Sequence, residues 1–275
     1  MVKITVPTLA VSEQVLRTQP NNPDRPVEQD STNLSLDAKV FIFDKDGTLL
    51  THDHFIPIME KRLELIVDRY KLTKDQSDAL SRLLGLDPNT RQIIQRGTMF
   101  IAREDTQILI ITYLSELGFR FKQLKKEISN IFQDTDEQIE LDKVIRPFPE
   151  VPPFLERLKC HGVKIAIATH DTTAAAINQL ALADIDKYMD LIIGLDYDDD
   201  ILHKPSPSMF NKVCSEFEVS PKDCVVVGDS VNDVLMGVRG GAGLAIGVLT
   251  GEHTANDFKE FDALISSLDQ IKIDE

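Results

Sequence analysis

Polar groups suited to phosphoryl chemistry follow apolar runs at four separate places in the chain. Asp44 and Asp46 follow VFIF, Thr169 ends KIAIAT, Lys204 sits in LHKPSPSMF, and Asp229 and Asp233 bracket the turn GDSVND. In an extended segment residues i and i+2 share a side, so the Asp44 and Asp46 carboxylates can face one point while Lys45 points elsewhere. A phosphate monoester is dianionic, and a carboxylate can reach its phosphorus only where cations offset the repulsion. On this chemistry Asp44 is the nucleophile, and Asp46 is general acid toward the leaving oxygen, then general base on water. Mg²⁺ takes oxygen ligands and keeps several waters, so Asp44, Asp229 and the backbone carbonyl of Asp46 suffice as its protein ligands. Thr169 hydrogen-bonds a phosphoryl oxygen, and Lys204 balances the charge of phosphate and nucleophile. Asp233 joins the cofactor-binding set by orienting Lys204 or a metal-bound water. Each group alone has a plainer explanation as a turn residue, helix cap or solvated side chain; their joint occurrence at successive strand ends favours chemistry.

Those strand ends need a parallel sheet. The runs VFIF (40–43), KIAIAT (164–169), DLIIG (190–194), CVVVGD (224–229) and LAIGVL (244–249) are apolar on both faces, as parallel strands covered by helices are. Stretches with helical spacing separate the later ones, among them PPFLERLKCHG and TTAAAINQLALA. The expected fold is α/β, a doubly wound parallel-sheet Rossmann-like core with an inserted all-helical cap domain. The core takes residues 38–51 and 147–275, and the helical cap takes 52–146, where four amphipathic stretches occur with no strand between them. Residues 1–37 include the proline-rich TQPNNPDRPVEQDSTN and are expected to form a flexible N-terminal extension. Ligands in such sheets bind beyond the carboxyl ends of the strands, where all four sites fall.

Bulk properties narrow the classes of function. The chain has 275 residues and a formal net charge of −15, which disfavours nucleic acid and anionic membranes as partners. It has no apolar stretch near the roughly 20 residues of a membrane span and no secretory leader pattern, so a cytoplasmic setting is expected. Cys160, Cys214 and Cys224 lack disulfide or zinc spacing and are expected to be reduced core or near-core thiols. The acidic run 196–200 lacks the glycine and distal glutamate of a calcium loop, and is expected to be solvated. His52 and His54 are expected at the hinge into the cap. Arg96 and Arg103 are candidates to meet the non-phosphate end of a substrate. The expected partner is a small phosphorylated metabolite, and the expected state a monomer or homodimer.

The motifs DKDGT (44–48), Thr169, Lys204 in HKPSP and GDSVND (228–233) resemble those of the haloacid dehalogenase superfamily of phosphohydrolases, in order, over about residues 39–272. The insertion looks like the helical cap of the subgroup that includes phosphoglycolate phosphatases and β-phosphoglucomutases. The resemblance implies a Mg²⁺-dependent phosphatase with an aspartyl-phosphate intermediate, acting on a small phosphomonoester such as 2-phosphoglycolate. Two positions depart from the common pattern: His170 stands where Asn commonly follows the Thr, and Lys45 where many members carry an apolar residue. Three alternatives are a dehalogenase, against which Asp46 argues, a sugar phosphomutase, and a catalytically silent phosphate-binding regulatory module.

Overall fold

Six strands form one parallel sheet in the order β6-β5-β4-β7-β8-β9. They are β4 (Val40–Phe43), β5 (Lys164–Ala168), β6 (Leu191–Ile193), β7 (Cys224–Gly228), β8 (Leu244–Val248) and β9 (Ala263–Ile265). The computed structural model describes residues 1–7, 28–30, 33–94, 98–99, 101, 103–196, 201–251 and 253–274. Arg96, residues 197–200 of the acidic run, and 8–27 and 31–32 of the expected extension lie outside the described residues.

Every residue of β4 is buried because helices cover both faces of the sheet. Phe41 and Phe43 face one way and meet Phe154 edge-on, with ring centroids 6.0 and 6.2 Å apart. Phe154 lies on α5 (Val151–Cys160). Val40 and Ile42 face the other way, into a cluster with Met209, Phe210 and Val213 of α7 (Ser208–Glu216). The two-residue period of the strand thus places one apolar set on each side.

β4 is the first strand of this sheet in chain order and lies between β5 and β7, so the crossovers depart to opposite sides of it. That is the point where a doubly wound sheet opens a crevice at its carboxyl edge. Phe43 pairs with Ile167 on one side and Val227 on the other, so Asp44 leaves the sheet level with the ends of both neighbours.

The chain divides into two compact units, residues 1–51 with 146–275, and residues 52–145. The second is helical: α1 (Phe55–Tyr70), α2 (Lys74–Leu83), α3 (Arg103–Glu116) and α4 (Phe121–Gln138) bury a common core of Leu63, Ile66, Leu80, Ile110, Leu114, Ile128 and Phe132. Thr73 and Gln76 form a reciprocal capping box at the start of α2.

The described residues at the amino-terminal end, 1–7, 28–30 and 33–38, correct for those positions the expectation of a flexible extension. β1 (Val2–Pro7), β2 (Glu28–Asp30), β3 (Asn33–Ala38) and β10 (Lys272–Ile273) form a second, antiparallel sheet in the order β10-β1-β3-β2. Val2, Ile4 and Val6 alternate with more exposed residues and are buried, as are Leu34, Leu36 and Ala38 of β3. This period-2 burial outweighs the polar, proline-rich composition of the stretch between them. Lys39 alone separates β3 from β4. Its backbone N–H bonds Asp223 O at 2.9 Å and its ammonium bonds Asp223 Oδ2 at 2.7 Å.

One smaller expectation also changes. Cys160 is exposed and not near the core, while Cys214 and Cys224 are buried with sulfurs 3.7 Å apart. Among the described residues, no helix is long and apolar enough to cross a membrane. Because Ile4 is fully buried, Ile4→Ala should lower unfolding free energy by about 2–5 kcal/mol in a denaturant titration. Unchanged stability would restore the flexible extension.

Candidate active site

Asp44 follows the last residue of β4, and its backbone N–H bonds Val227 O at 3.0 Å, which carries the strand geometry one residue past the phenylalanine. The next residues turn sharply. Leu49 and Leu50 donate to Lys45 O at 3.0 and 2.9 Å, and Gly47 takes φ +78°, a left-handed conformation that an L side chain adopts at a cost. Thr250 donates its hydroxyl to Gly47 O at 2.5 Å, tying the turn to the loop after β8.

Lys204, 5% exposed, is the centre of the cluster. Its ammonium lies 2.6 Å from Asp44 Oδ1 and 2.5 Å from Asp233 Oδ1, and donates to Ala168 O at 3.0 Å. Its three donors are therefore all directed at oxygens. Asp233 sits in the first turn of α8 (Val231–Gly240), where its Oδ2 accepts the Ser230 hydroxyl at 2.5 Å and the Ser230 backbone N–H at 3.0 Å. Asp229 ends β7's run and receives the Thr48 hydroxyl at 3.3 Å. Gly251 packs on it so closely that a Cβ there would lie 1.8 Å from Asp229 Oδ2.

Asp44, Asp229 and Asp233 bring one carboxylate oxygen each within 4.8 Å of the others. With Lys204 the group carries three negative charges and one positive one, so a divalent cation would balance it. The carboxyls respond differently to this crowding of charge. Burial, helped by Asp233 and Asp46 and opposed by Lys204, pushes the Asp44 carboxyl up to about 7. Burial and the neighbouring Asp44 and Asp233 charges raise Asp229 well above the usual carboxylate range. Asp233 moves the other way: burial would raise it, but the Lys204 ammonium and the Ser230 hydroxyl hold it low. Asp233 thus has one oxygen on Lys204 and the other on Ser230. An all-carboxylate donor set of this kind suits a hard divalent cation.

Thr169 follows β5, buried, and its hydroxyl accepts the Asp171 backbone N–H at 3.2 Å. His170 has its ring 5.5 Å from that of His203, and burial together with the nearby Lys204 charge lowers it to about 4, so it is neutral at pH 7. Lys45 differs from the sequence expectation that it points away from its neighbours. It is fully buried and turns its ammonium back onto Asp46 Oδ2 at 2.6 Å. Gln179 and Asp171, which sequence reasoning missed, complete its surroundings. Neither carries a motif signal, since Gln179 reads as one polar residue on the helix α6 (Thr173–Leu182).

The remaining candidates lie in the helical unit. Arg103 pairs with Asp136 at 2.8 Å and lies 5.1 Å from the centre of the Phe132 ring, so its guanidinium is engaged inside that unit. His52–His54 form its opening turn, with His54 buried against Phe55.

Comparison with known proteins agrees with the fold. The family model for haloacid dehalogenase-like hydrolases matches residues 38–241, more than half of the chain. The chain belongs to that family of hydrolases. Among named relatives, a Clostridium perfringens protein provisionally named pyrophosphatase PpaX is 27% identical over 205 residues, 74% of this chain and 81% of the relative. Phosphoglycolate phosphatase of Aquifex aeolicus is 32% identical over 101 residues, 37% of this chain, and the match spans 46% of the relative's length. A provisionally named haloacid dehalogenase-like hydrolase from Bacteroides fragilis superposes with a TM-score of 0.61 at 22% identity, covering 85% of this chain and 99% of that one.

The direction of the Asp44 and Asp229 shifts gives a pH-dependent outcome. A carboxyl raised from its ordinary 3.8 to about 7 works against the folded state as pH climbs through that window, and a bound cation removes the penalty. At pH 5 the cation must first displace protons. A fixed concentration of Mg²⁺ should therefore raise the thermal unfolding midpoint more at pH 8 than at pH 5. Equal shifts at the two pH values would contradict this.

Proposed function

We propose that this chain is a Mg²⁺-dependent phosphatase that hydrolyses a small phosphomonoester through an aspartyl-phosphate formed on Asp44. The observation that carries the reading is the buried contact of the Lys204 ammonium with Asp44 and Asp233, at the carboxyl edge of β4 beside Asp229. Asp44 is positioned to attack because it is the carboxylate at the topological switch point. Lys204 keeps it ionised when a phosphoryl group approaches and then neutralises charge on the transferring oxygens. Thr169 donates its hydroxyl to one of those oxygens. Asp233 holds Lys204 in place.

Asp46 protonates the leaving oxygen as the phosphorus–oxygen bond breaks, then takes a proton from the water that attacks the phosphorylated Asp44. The cation's ligands in this reading are Asp44, Asp229 and the Asp46 backbone carbonyl; when bound, it supplies positive charge that offsets repulsion between nucleophile and phosphate. The names of the Aquifex and Clostridium relatives support 2-phosphoglycolate and inorganic pyrophosphate as the first compounds to assay. Within the proposed reading 2-phosphoglycolate is the leading substrate, as a small phosphomonoester.

Asp44→Asn should reduce turnover of 2-phosphoglycolate and of generic phosphomonoesters to background while the circular dichroism spectrum stays native. Asp46→Asn should lower turnover about 10²–10⁴-fold and leave Mg²⁺ affinity nearly unchanged, since the backbone carbonyl survives. Substantial turnover by the Asp44 variant would overturn the assignment.

A further inference from the structure

Lys45 is fully buried in a position that borders two aspartates of the site. An ammonium removed from water costs several kcal/mol unless it is hydrogen-bonded and its charge is balanced, and here two hydrogen bonds and a further nearby carboxylate do this. Asp46 Oδ2 lies 2.6 Å away, Gln179 Oε1 accepts a second hydrogen bond, and Asp171 Oδ2 stands at 3.6 Å. Gln179 also donates its Nε2 to Asp171 Oδ2 at 3.1 Å, which closes the arrangement. Asp171 is anchored in turn by the Thr172 backbone N–H on its Oδ1 at 3.0 Å.

The three partners come from three segments: the turn after β4, the loop after β5, and the middle of α6. Lys45 is thus fixed from two sides, and it fixes Asp46 from the third. An apolar side chain would fill the same space without any of these directional bonds. The polar ring has a geometric consequence that packing alone lacks: it determines which oxygen of Asp46 is tied down and how the carboxylate plane is turned.

We propose that Lys45 is a positioning residue for proton transfer by Asp46, and that Asp171 and Gln179 serve to hold Lys45. This rests on the reading in which Asp46 is the acid and base of a phosphatase. With Oδ2 bonded to Lys45, the proton travels on Oδ1. As Asp44 bonds to phosphorus and the ester bond breaks, that proton passes to the leaving oxygen. When water bonds to phosphorus and the Asp44 linkage breaks, a water proton returns to Oδ1 and the carboxyl is restored. Lys45 gives up no proton in either step.

The test uses the full chain with Lys45→Met, which keeps the length and removes the charge. On 2-phosphoglycolate, whose alkoxide leaves poorly without a proton, kcat should fall roughly 10- to 100-fold, the scale of a misplaced catalytic group, with KM little changed. With p-nitrophenyl phosphate the leaving group departs without protonation, so the first turnover should stay near the wild-type rate. Later turnovers should slow, because Asp46 is still needed as base, and nitrophenolate should appear as a burst of about one equivalent per enzyme. Asp171→Asn leaves Lys45 in place and should shift both substrates in the same directions by a smaller factor, so the comparison survives if the Met variant does not fold.

Equal loss on both substrates in the first turnover would overturn the inference, because it would mark general damage to the site. Wild-type kinetics in both variants would do the same. Absence of phosphatase activity in the wild-type enzyme would remove the underlying reading and the inference with it, whereas an active wild type with indifferent variants removes the inference alone.

Discussion

Carboxylates converge inside a protein only if positive charge stands between them, and here that charge is Lys204. Its ammonium reaches Asp44 and Asp233 at hydrogen-bonding distance and is capped by the Ala168 carbonyl, so none of its donors is wasted. Removing it would take from Asp44 and Asp233 the ammonium that touches both, and an uncompensated buried charge costs several kcal/mol per ion or forces protonation. Asp233 stays ionised because both the Lys204 ammonium and the Ser230 hydroxyl bond it, whereas burial and the neighbouring Asp44 and Asp233 charges push Asp229 up. The site is therefore built short of positive charge by about the amount that a divalent ion supplies.

The scaffold makes this concentration affordable. β4, β5 and β7 are apolar throughout except for Lys164 at the start of β5, so folding is driven by burial of Val, Ile and Phe, and the polar groups are carried at the strand ends. The register between β4 and its two neighbours brings those ends level. Close backbone approach does the rest. Gly47 supplies the left-handed turn, and Gly251 leaves room for the Asp229 carboxylate that any side chain would occupy.

Five strands of the parallel sheet were legible in the sequence as short apolar runs, while the three-residue β9 at its edge was not read; the strand-end groups were legible because such sheets gather ligands at one edge. Three further features were not. The antiparallel sheet of β1, β2, β3 and β10 joins residues at opposite ends of the chain, and Ile4 finds Ile273 through a pairing that no local window contains. Its signal was the alternation of Val2, Ile4 and Val6, outweighed in reading by the prolines that follow. Lys45 was expected to diverge from Asp46 by the rule for extended strands, but strand geometry stops at Asp44 and the turn through Gly47 lets a long side chain fold back. Gln179 was invisible because it sits beside Asn178 on a helix with exposed and buried positions, and a polar residue there says nothing about what it touches.

In the proposed reaction the nucleophile, its counter-ion and the acid–base group are three different side chains whose separate jobs depend on one covalent event at Asp44. That event can be observed directly. A single turnover of a phosphomonoester in the presence of Mg²⁺, quenched in acid and mapped by mass spectrometry of peptides, should place a transient phosphoryl group on Asp44 at early times and lose it as inorganic phosphate forms. Turnover with no phosphorylated peptide at any time, or with the label on a residue other than Asp44, would contradict the account.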